Sequence, residues 1–363
     1  MNRYNVLMFV MAGQKLHPDD KIDRDQKGIM MEALSYLFNA YHEKRRRLGP
    51  VAVLHPLRAT ALYARVKPDI GMIDLLTSLF HDIIEDIQST DFEILKWKNL
   101  EQQLFSLLAR LTDNRGEQRI IERLVCLTRR EDESYYQYIW RLFSCSEEAS
   151  DLVQVKLVDR LDNTLDMRIA LQDPLEGLDF FQNIFQLLFV NTYKGYSPGT
   201  MHPPTEALNG AKRLYQLFKN AVLLSLIRQK VAISLDHTSK TLFNAVAEAS
   251  LKEAQRTFVH VTGYHFQDIN KQRELLLNTM RYCFSGKSDI VTKPDSDQPL
   301  DGLFASYFGD SSSLKRNQRL DALYQNKTLM MQASIAFIVI FLSFLNDSRF
   351  YVRGISATGI DPA

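Results

Sequence analysis

The chain has 363 residues, of which 45% are hydrophobic and 24% are charged, with a formal net charge of +1. This composition is typical of a globular protein with two or three domains, and its balanced charge provides no global field for nucleic acid or a membrane. The cysteines Cys126, Cys145 and Cys283 lie far apart without a CxxC spacing. That pattern argues against a disulfide framework and favours a cytoplasmic location.

Apolar side chains recur with the helical period along much of the chain. The clearest run is Ile29, Ala33, Leu37 and Tyr41, and a second is Val153, Leu157, Leu161 and Leu165. Recurrence at every fourth residue predicts amphipathic helices. Alternation with a period of two is rare and hairpin turn signals are scarce, so an all-α fold is expected.

One stretch rich in proline and glycine divides the chain. Residues 194–206 read KGYSPGTMHPPTE, a composition that no helix tolerates. We therefore predict a first domain over residues 1–195 and a helical domain over residues 205–363. No motif assigns chemistry to the second domain, for which regulation or homo-oligomerisation is the expected role.

A second apolar run lies near the C-terminal end. Ile335 to Leu345 reads IAFIVIFLSFL, which is 11 residues long. A membrane-spanning helix needs about 20 residues, and runs of about 10 to 14 residues are usually buried core helices. We therefore expect a core or dimer-interface helix here rather than a membrane anchor, and no membrane partner.

The stretch LFHDIIEDI, residues 79–87, places four ionisable side chains in an apolar run. They are His81, Asp82, Glu85 and Asp86. A continuous helix would project His81 and Asp82 about 100° apart and would place the two later acids one turn further on. Buried charges cost free energy unless they are paired or bind a metal. This run therefore predicts that all four side chains belong to one site.

Two further segments supply matching side chains. VLHPLRA carries His55, and VKLVDRLDNTLD carries Asp159 and Asn163. Taken singly, His55 fits a helix-start residue and Asp159 fits a surface ion pair with Arg160. Together with His81 and Asp82 they offer two imidazoles and two carboxylates, a set that suits Mn²⁺, Fe²⁺ or Zn²⁺.

These motifs together resemble a known superfamily. HDIIED is similar to an HDxxED motif, VKLVDRLDN to KLxDRLxN and LHPL to an HP motif, while Arg46 lies nine residues before His55. In this order they resemble the HD phosphohydrolase superfamily, specifically the (p)ppGpp pyrophosphohydrolase domain of the RelA/SpoT family, over about residues 25–195. The resemblance implies an HD-domain helical bundle, followed here by a second helical domain.

The resemblance also implies roles for individual residues. The implied ligands of one catalytic Mn²⁺ ion are His55, His81, Asp82 and Asp159. Glu85 and Asp86 would position or activate the attacking water, and Arg46 and Asn163 would contact the guanosine part of the nucleotide. The implied reaction removes the 3′-pyrophosphate from ppGpp or pppGpp, a step of the stringent response.

Two more arginines are candidates for substrate binding. Arg45 belongs to the run KRRR, which suits a phosphate polyanion but equally suits the C-terminal end of a helix. Arg141, in ESYYQYIWRL, resembles an arginine that precedes the last metal aspartate in small hydrolases of the superfamily. Its spacing fits plain amphipathic packing as well.

The chain departs from the family pattern at two places. The family usually has a tyrosine where this chain reads PVAVL, and Asp162 stands where the family has a histidine. An additional carboxylate near the substrate path would disfavour a tetra-anionic nucleotide. The alternatives are therefore an HD phosphohydrolase of another nucleotide and a sensor that binds a nucleotide without cleaving it.

Overall fold

The protein is almost entirely helical in the part that its computed structural model describes, which confirms the all-α prediction. The described residues are 3–11, 13–42, 44–46, 51–111, 116–130, 132–133, 135–146, 151–166, 209–229, 236–265, 268–274, 277, 355–356 and 359–360. Extended backbone pairing in these ranges consists of an antiparallel pair, β1 (Ile355–Ser356) with β2 (Gly359–Ile360), and a bridge between Arg45 and Val51.

The helices of the N-terminal half are α1 (Arg3–Met11), α2 (Asp20–Tyr41), α3 (Leu54–Val66), α4 (Met72–Leu79), α5 (Ile83–Asp86), α6 (Ile94–Leu108), α7 (Gly116–Leu127), α8 (Tyr135–Ser146) and α9 (Asp151–Leu165). Later in the chain follow α10 (Asn209–Gln229) and α11 (His237–His265). A short 3₁₀ turn at Ser89–Asp91 connects α5 to α6.

The described elements form two compact units. The first contains α1 to α7, the end of α8, α9 and the start of α11, while the second contains the start of α8, α10, the rest of α11 and the two short strands. The predicted domain boundary at residues 194–206 lies outside the described residues and stays a prediction. The same holds for the apolar run from Ile335 to Leu345.

Helix α2 is the helix predicted from the apolar run that begins at Ile29. Asp19 caps the helix, and its carboxylate accepts hydrogen bonds from the backbone N–H groups of Lys21 and Ile22 at 2.9 and 3.0 Å. On the inner face, Ala33 and Leu37 are fully buried. The helix therefore has a defined start and one continuous apolar stripe facing the core.

Helices α3 and α9 form the centre of the first unit. Helix α3 packs against α9, α4 and α1, and α9 buries nearly every side chain along its length. Even a polar residue is accommodated there, because Gln154 accepts a hydrogen bond from the Tyr63 hydroxyl at 2.7 Å. This central packing brings the start of α3 alongside the C-terminal half of α9.

The second unit is also built on apolar helix packing. Leu223 and Leu224 of α10 are fully buried, and Asn220 donates a hydrogen bond to the Ser250 hydroxyl at 2.8 Å. Within the described ranges, none of the helices combines the length and the apolar character that crossing a bilayer would require.

Helices α7 and α8 carry a disulfide, contrary to the expectation from the cysteine spacing. Cys126 near the end of α7 bonds to Cys145 near the end of α8, with their Cα atoms 6.5 Å apart. The expectation of no disulfide framework is therefore wrong for this pair. The 19-residue separation concealed the contact, because only the helical hairpin brings the two residues together.

Candidate metal centre

Helix α3 holds His55 in its first turn. Pro56 follows directly, at a position where the missing backbone N–H removes no helical hydrogen bond. His55 is 1% exposed, so its ring is enclosed by the core of the first unit. Proline next to the histidine gives this part of α3 a rigid start.

The His81–Asp82 pair lies in a break between two helices, which corrects the prediction of one continuous helix. Helix α4 ends at Leu79, and α5 begins at Ile83. Asp82 has φ −100° and ψ 2°, and the N–H of Ile83 bonds to the carbonyl of Phe80 at 2.9 Å. This turn directs both side chains toward a single point, which a regular helix would not do.

The four predicted metal ligands converge at that point. One donor atom from each of His55, His81, Asp82 and Asp159 lies within 4.8 Å of all the others. The Nε2 atom of His55 lies 3.2 Å from an oxygen of Asp82 and 3.2 Å from an oxygen of Asp159. The prediction that distant parts of the chain meet around one centre therefore agrees with the observed placement.

The outer nitrogen of each imidazole is held in place by a hydrogen bond. Nδ1 of His81 donates to the backbone carbonyl of Ser78 at 2.8 Å, and Nδ1 of His55 donates to the carboxylate of Asp162 at 2.6 Å. Each ring therefore turns its Nε2 atom inward, as a metal-binding histidine requires.

The electrostatics of the cluster favour a bound cation. Burial lowers the pKa of His55, but its hydrogen bonds to Asp159, Asp162 and Asp82 outweigh burial and raise that pKa to about 9. The pKa of Asp82 is held far below its usual range, because the charge of His81 and the bonds to both histidines outweigh the effect of burial. The site therefore retains positive charge at its centre, either as protons or as a metal ion.

The donor set and its spacing fit a divalent ion. Ligand atoms that share one ion at about 2.0–2.2 Å lie roughly 3 to 4.5 Å apart. The Nε2 atoms of His55 and His81 are 3.2 Å apart, and an oxygen of Asp159 lies 3.7 Å from Nε2 of His81. Two imidazoles and two carboxylates suit manganese, iron or zinc.

Glu85 occupies the first turn after the centre. One of its carboxylate oxygens accepts a hydrogen bond from the backbone N–H of Arg129 at 2.7 Å, although the residue as a whole is exposed. Loss of solvating water raises the pKa of Glu85, and the charges of Asp82 and Asp159 raise it further. A carboxyl group with a raised pKa next to a candidate metal site is suited to accepting a proton from water.

Asp86 is connected to the end of α2 and the segment that follows it. Its carboxylate accepts a hydrogen bond from the Tyr41 hydroxyl at 2.9 Å, and its backbone carbonyl accepts one from Lys44. Burial and the charge of Asp82 raise the pKa of Asp86. Tyr41 belongs to the apolar stripe of α2, and its helical spacing gave no indication that its hydroxyl reaches Asp86.

Arg46 and Asn163, the two predicted guanosine contacts, lie side by side. The guanidinium of Arg46 donates to the side-chain oxygen of Asn163 at 3.1 Å and pairs with Asp166 at 3.4 Å. Asn163 in turn donates to the carboxylate of Asp159. Asn163 thus connects a candidate substrate contact, Arg46, to a candidate metal ligand, Asp159.

The other two predicted substrate arginines have different surroundings. Arg45 is exposed, while Arg141 is engaged within the α7–α8 hairpin. The guanidinium of Arg141 donates to the carboxylate of Glu133 and to the backbone carbonyls of Val125, Cys126 and Thr128. These bonds show Arg141 bracing the hairpin, and its role in substrate binding stays a prediction, as does that of Arg45.

Lys156, within the VKLVDRLDN motif, is a charged neighbour of the centre that the motif alone did not mark as one. Its ammonium group pairs with Asp159 at 2.7 Å, and its charge lowers the pKa of both Asp159 and Glu85. Lys156 therefore lies close to a predicted metal ligand and to the predicted water-binding carboxylate.

Asp162, expected to be an additional acid near the substrate path, is a buried and paired carboxylate. It is 2% exposed and accepts hydrogen bonds from His55 and from the guanidinium of Arg58. Because both partners are cationic or polarised donors, they compensate its charge. The acid therefore supports a candidate metal ligand, a role that its sequence position alone did not reveal.

Comparison with known proteins gives a distant and partial likeness. No family model matches the chain, and no solved structure matches it. Two curated proteins of Arabidopsis thaliana, both described as "Putative GTP diphosphokinase RSH1, chloroplastic", are each 22% identical over 144 residues. The match covers 39% of this chain and only 16% of the length of each relative. The chain is thus similar over part of its length to proteins described as enzymes of guanine nucleotide metabolism.

Proposed function

We propose that this protein is a metal-dependent phosphohydrolase of the HD type, which removes the 3′-pyrophosphate from guanosine 3′,5′-bis(diphosphate). The observation that carries the proposal is the enclosed centre of His55, His81, Asp82 and Asp159, with Arg46 alongside it through Asn163. The partial likeness to plant proteins described as GTP diphosphokinases supports a guanine nucleotide as the substrate class.

In this mechanism the protein contributes positioning and proton transfer. A divalent ion, expected to be Mn²⁺, would be held by the four ligands and would lower the pKa of a water molecule. Glu85 accepts the proton of the attacking water, and Asp86, held by Tyr41, orients that water. The bond between the ribose 3′ oxygen and phosphorus breaks, and the proton from Glu85 is returned to that oxygen as pyrophosphate leaves. Both carboxyl groups have raised pKa values, which brings them closer to the pKa that a general base needs near neutral pH.

The nucleotide is bound by groups on the Arg46 side of the centre. A guanidinium group forms charge-assisted bonds and also stacks on aromatic bases, so Arg46 suits either the guanine or a phosphate. Asn163 orients Arg46 through its side-chain oxygen. Arg45, which is exposed next to it, is assigned to the phosphates.

A nucleotide panel tests the proposal directly. Purified protein is given Mn²⁺ and, separately, ppGpp, pppGpp, GTP, dNTPs and nucleoside monophosphates, and the products are resolved by anion-exchange chromatography. Release of pyrophosphate with formation of GDP or GTP is expected. Cleavage of other nucleotides alone would assign a different HD phosphohydrolase, and tight binding of ppGpp without turnover would assign a sensor.

The likeness to plant proteins described as GTP diphosphokinases calls for one further assay. Incubation with GTP and ATP tests for diphosphokinase activity, which is what those relatives are described as having. We expect no pyrophosphate transfer to GTP, because the proposed centre activates water rather than a ribose hydroxyl. We also propose a nucleotide as the small-molecule partner and the cytoplasm as the location, where the Cys126–Cys145 bond would be open to reduction.

A further inference from the structure

A closed ring of side-chain contacts lies beside the candidate metal centre and includes two of its candidate ligands, His55 and Asp159. From His55 it passes through Asp162, Arg58, Asp166 and Arg46, and it returns through Asn163 and Asp159 to His55. Three of its members have no role in the proposed reaction. They are Arg58, Asp162 and Asp166, and they connect the metal side of the site to the nucleotide side.

Arg58 contacts both carboxylates, Asp162 on the metal side and Asp166 on the nucleotide side. It lies one turn after His55 on α3, and its guanidinium binds Asp162 through two bonds, from Nε at 2.7 Å and from a terminal nitrogen at 3.0 Å. The same terminal nitrogen pairs with Asp166 at 3.0 Å. A guanidinium has a rigid planar fork, so these contacts fix the orientation of both carboxylates at once.

Asp162 connects Arg58 to the candidate metal ligand His55. Its second oxygen accepts the Nδ1 proton of His55 at 2.6 Å, on the side of the ring opposite the centre. A carboxylate in this position fixes which ring nitrogen carries the proton and strengthens the other nitrogen as a ligand. The side chain of Asp162 is 3% exposed, so water cannot easily replace this contact.

Asp166 connects Arg58 to Arg46 on the nucleotide side. It lies one turn beyond Asp162 on α9 and pairs with Arg46 at 3.4 Å, while Arg58 holds it from α3. Arg46 is therefore held between Asp166 and Asn163. The contact from Arg46 to Asp166 is long and partly exposed, so it contributes less than the enclosed Asp162 contact.

We propose that Arg58, Asp162 and Asp166 form a positioning brace, in which Asp162 orients His55 toward the metal and Asp166 orients Arg46 toward the nucleotide. The inference rests on the proposed function, because it assigns these residues to the same site. It also gives a reason for an aspartate at position 162, where the resembling family has a histidine. The brace touches neither the metal nor the reacting atoms.

The metal arm of the test measures Mn²⁺ affinity by titration calorimetry and by the electron paramagnetic resonance signal of free Mn²⁺. We expect Asp162→Asn to weaken Mn²⁺ binding about 10- to 100-fold, the usual effect of losing such an outer partner of a ligand. Asp74→Asn is the matched control, since Asp74 is also a largely buried carboxylate paired with an arginine, Arg123, but contacts none of the ligands. It should lower thermal stability while leaving Mn²⁺ affinity unchanged.

The nucleotide arm separates the two sides of the brace. Asp166→Asn should leave Mn²⁺ affinity unchanged and raise KM severalfold with little change in kcat, since it affects binding rather than chemistry. Arg58→Met should produce both effects, and Arg58→Lys should restore them only in part, because lysine lacks the planar fork.

The outcomes distinguish the brace from the proposed function. Wild-type protein that binds no divalent metal would overturn the proposed function itself. Wild-type protein that binds Mn²⁺ while Asp162→Asn binds it equally well would overturn the brace alone. If Asp162→Asn does not fold, Arg58→Lys decides, because unchanged Mn²⁺ affinity in that variant would also overturn the brace.

Discussion

The Nε2 atoms of His55 and His81 face each other at 3.2 Å, while the Nδ1 atom of each ring is bonded on the outer side. Two imidazole lone pairs at that distance repel unless a proton or a metal ion lies between them. The adjacent carboxylates of Asp82 and Asp159 strengthen the demand for positive charge. This relationship makes metal binding the most direct property to measure.

Removing a carboxylate from the centre should abolish metal binding and activity together. We expect Asp82→Ala to lose its metal, because three ligands remain and the compensating negative charge falls by one. Elemental analysis of purified protein, alongside the nucleotide assay, measures both effects. Asp20→Ala is the control, as its side chain is 81% exposed and pairs only with Lys15 on the surface. An Asp82→Ala protein with full metal content would remove Asp82 from the ligand set.

Glu85 should affect the reaction without affecting the metal. Glu85→Gln keeps the size of the side chain and its acceptor oxygen for the N–H of Arg129, but it cannot accept a proton from water. We expect a fall in kcat of about 10²-fold or more at unchanged metal content. Glu93→Gln, a change at an exposed residue just before α6, should have no effect. Full activity in Glu85→Gln would exclude Glu85 as the base.

The sequence predicted the composition of the candidate site better than its geometry. Two histidines and two aspartates in apolar surroundings were sufficient to select the side chains that meet in the structure, because buried charges need a common partner. The shape of the turn at His81 was not predictable, since apolar periodicity continues through the break between α4 and α5. Chain pattern specifies which residues are buried, whereas the local backbone conformation depends on the packing around them.

Contacts between distant helices were the least predictable feature. Asp162 looked like an additional acid near the substrate path, because its partners, His55 and Arg58, lie more than 100 residues earlier in the chain. Cys126 and Cys145 looked isolated for the same reason, since only the α7–α8 hairpin joins them. A single sequence shows periodicity within each helix but not the packing of one helix on another.

The pair of Asp74 and Asp151 predicts a specific pH dependence of stability. Burial and the charge of Asp74 raise the pKa of Asp151 to about 6, although Arg123 contacts both acids. Folded protein therefore holds this proton more tightly than unfolded protein, so the stabilisation is present below about pH 4 and is lost as the pH rises through 6. One pKa unit corresponds to about 1.4 kcal/mol, so the free energy of unfolding should fall by about 1–3 kcal/mol over this pH range. Asp151→Asn should not show this fall.

Urea unfolding of wild type and Asp151→Asn between pH 4 and pH 8 measures that difference. Comparing the two proteins cancels the opposite trend from carboxylates whose pKa is lowered, such as Asp162. The variant should gain stability relative to wild type as the pH rises. A difference that stays constant with pH would show that Asp151 titrates alike in both states.

The disulfide between Cys126 and Cys145 predicts that reduction destabilises the first unit. A crosslink across 19 residues restricts the unfolded chain and contributes roughly 3 kcal/mol in the loop-entropy view. The crosslink closes the hairpin whose loop donates the Arg129 N–H to Glu85. We therefore expect the Cys126→Ser/Cys145→Ser protein to unfold at lower urea concentration, and reduced wild type to match it.

Cys283→Ser, which leaves the bond intact, should behave as oxidised wild type does. Identical unfolding of oxidised and reduced wild type would show that the crosslink adds no stability.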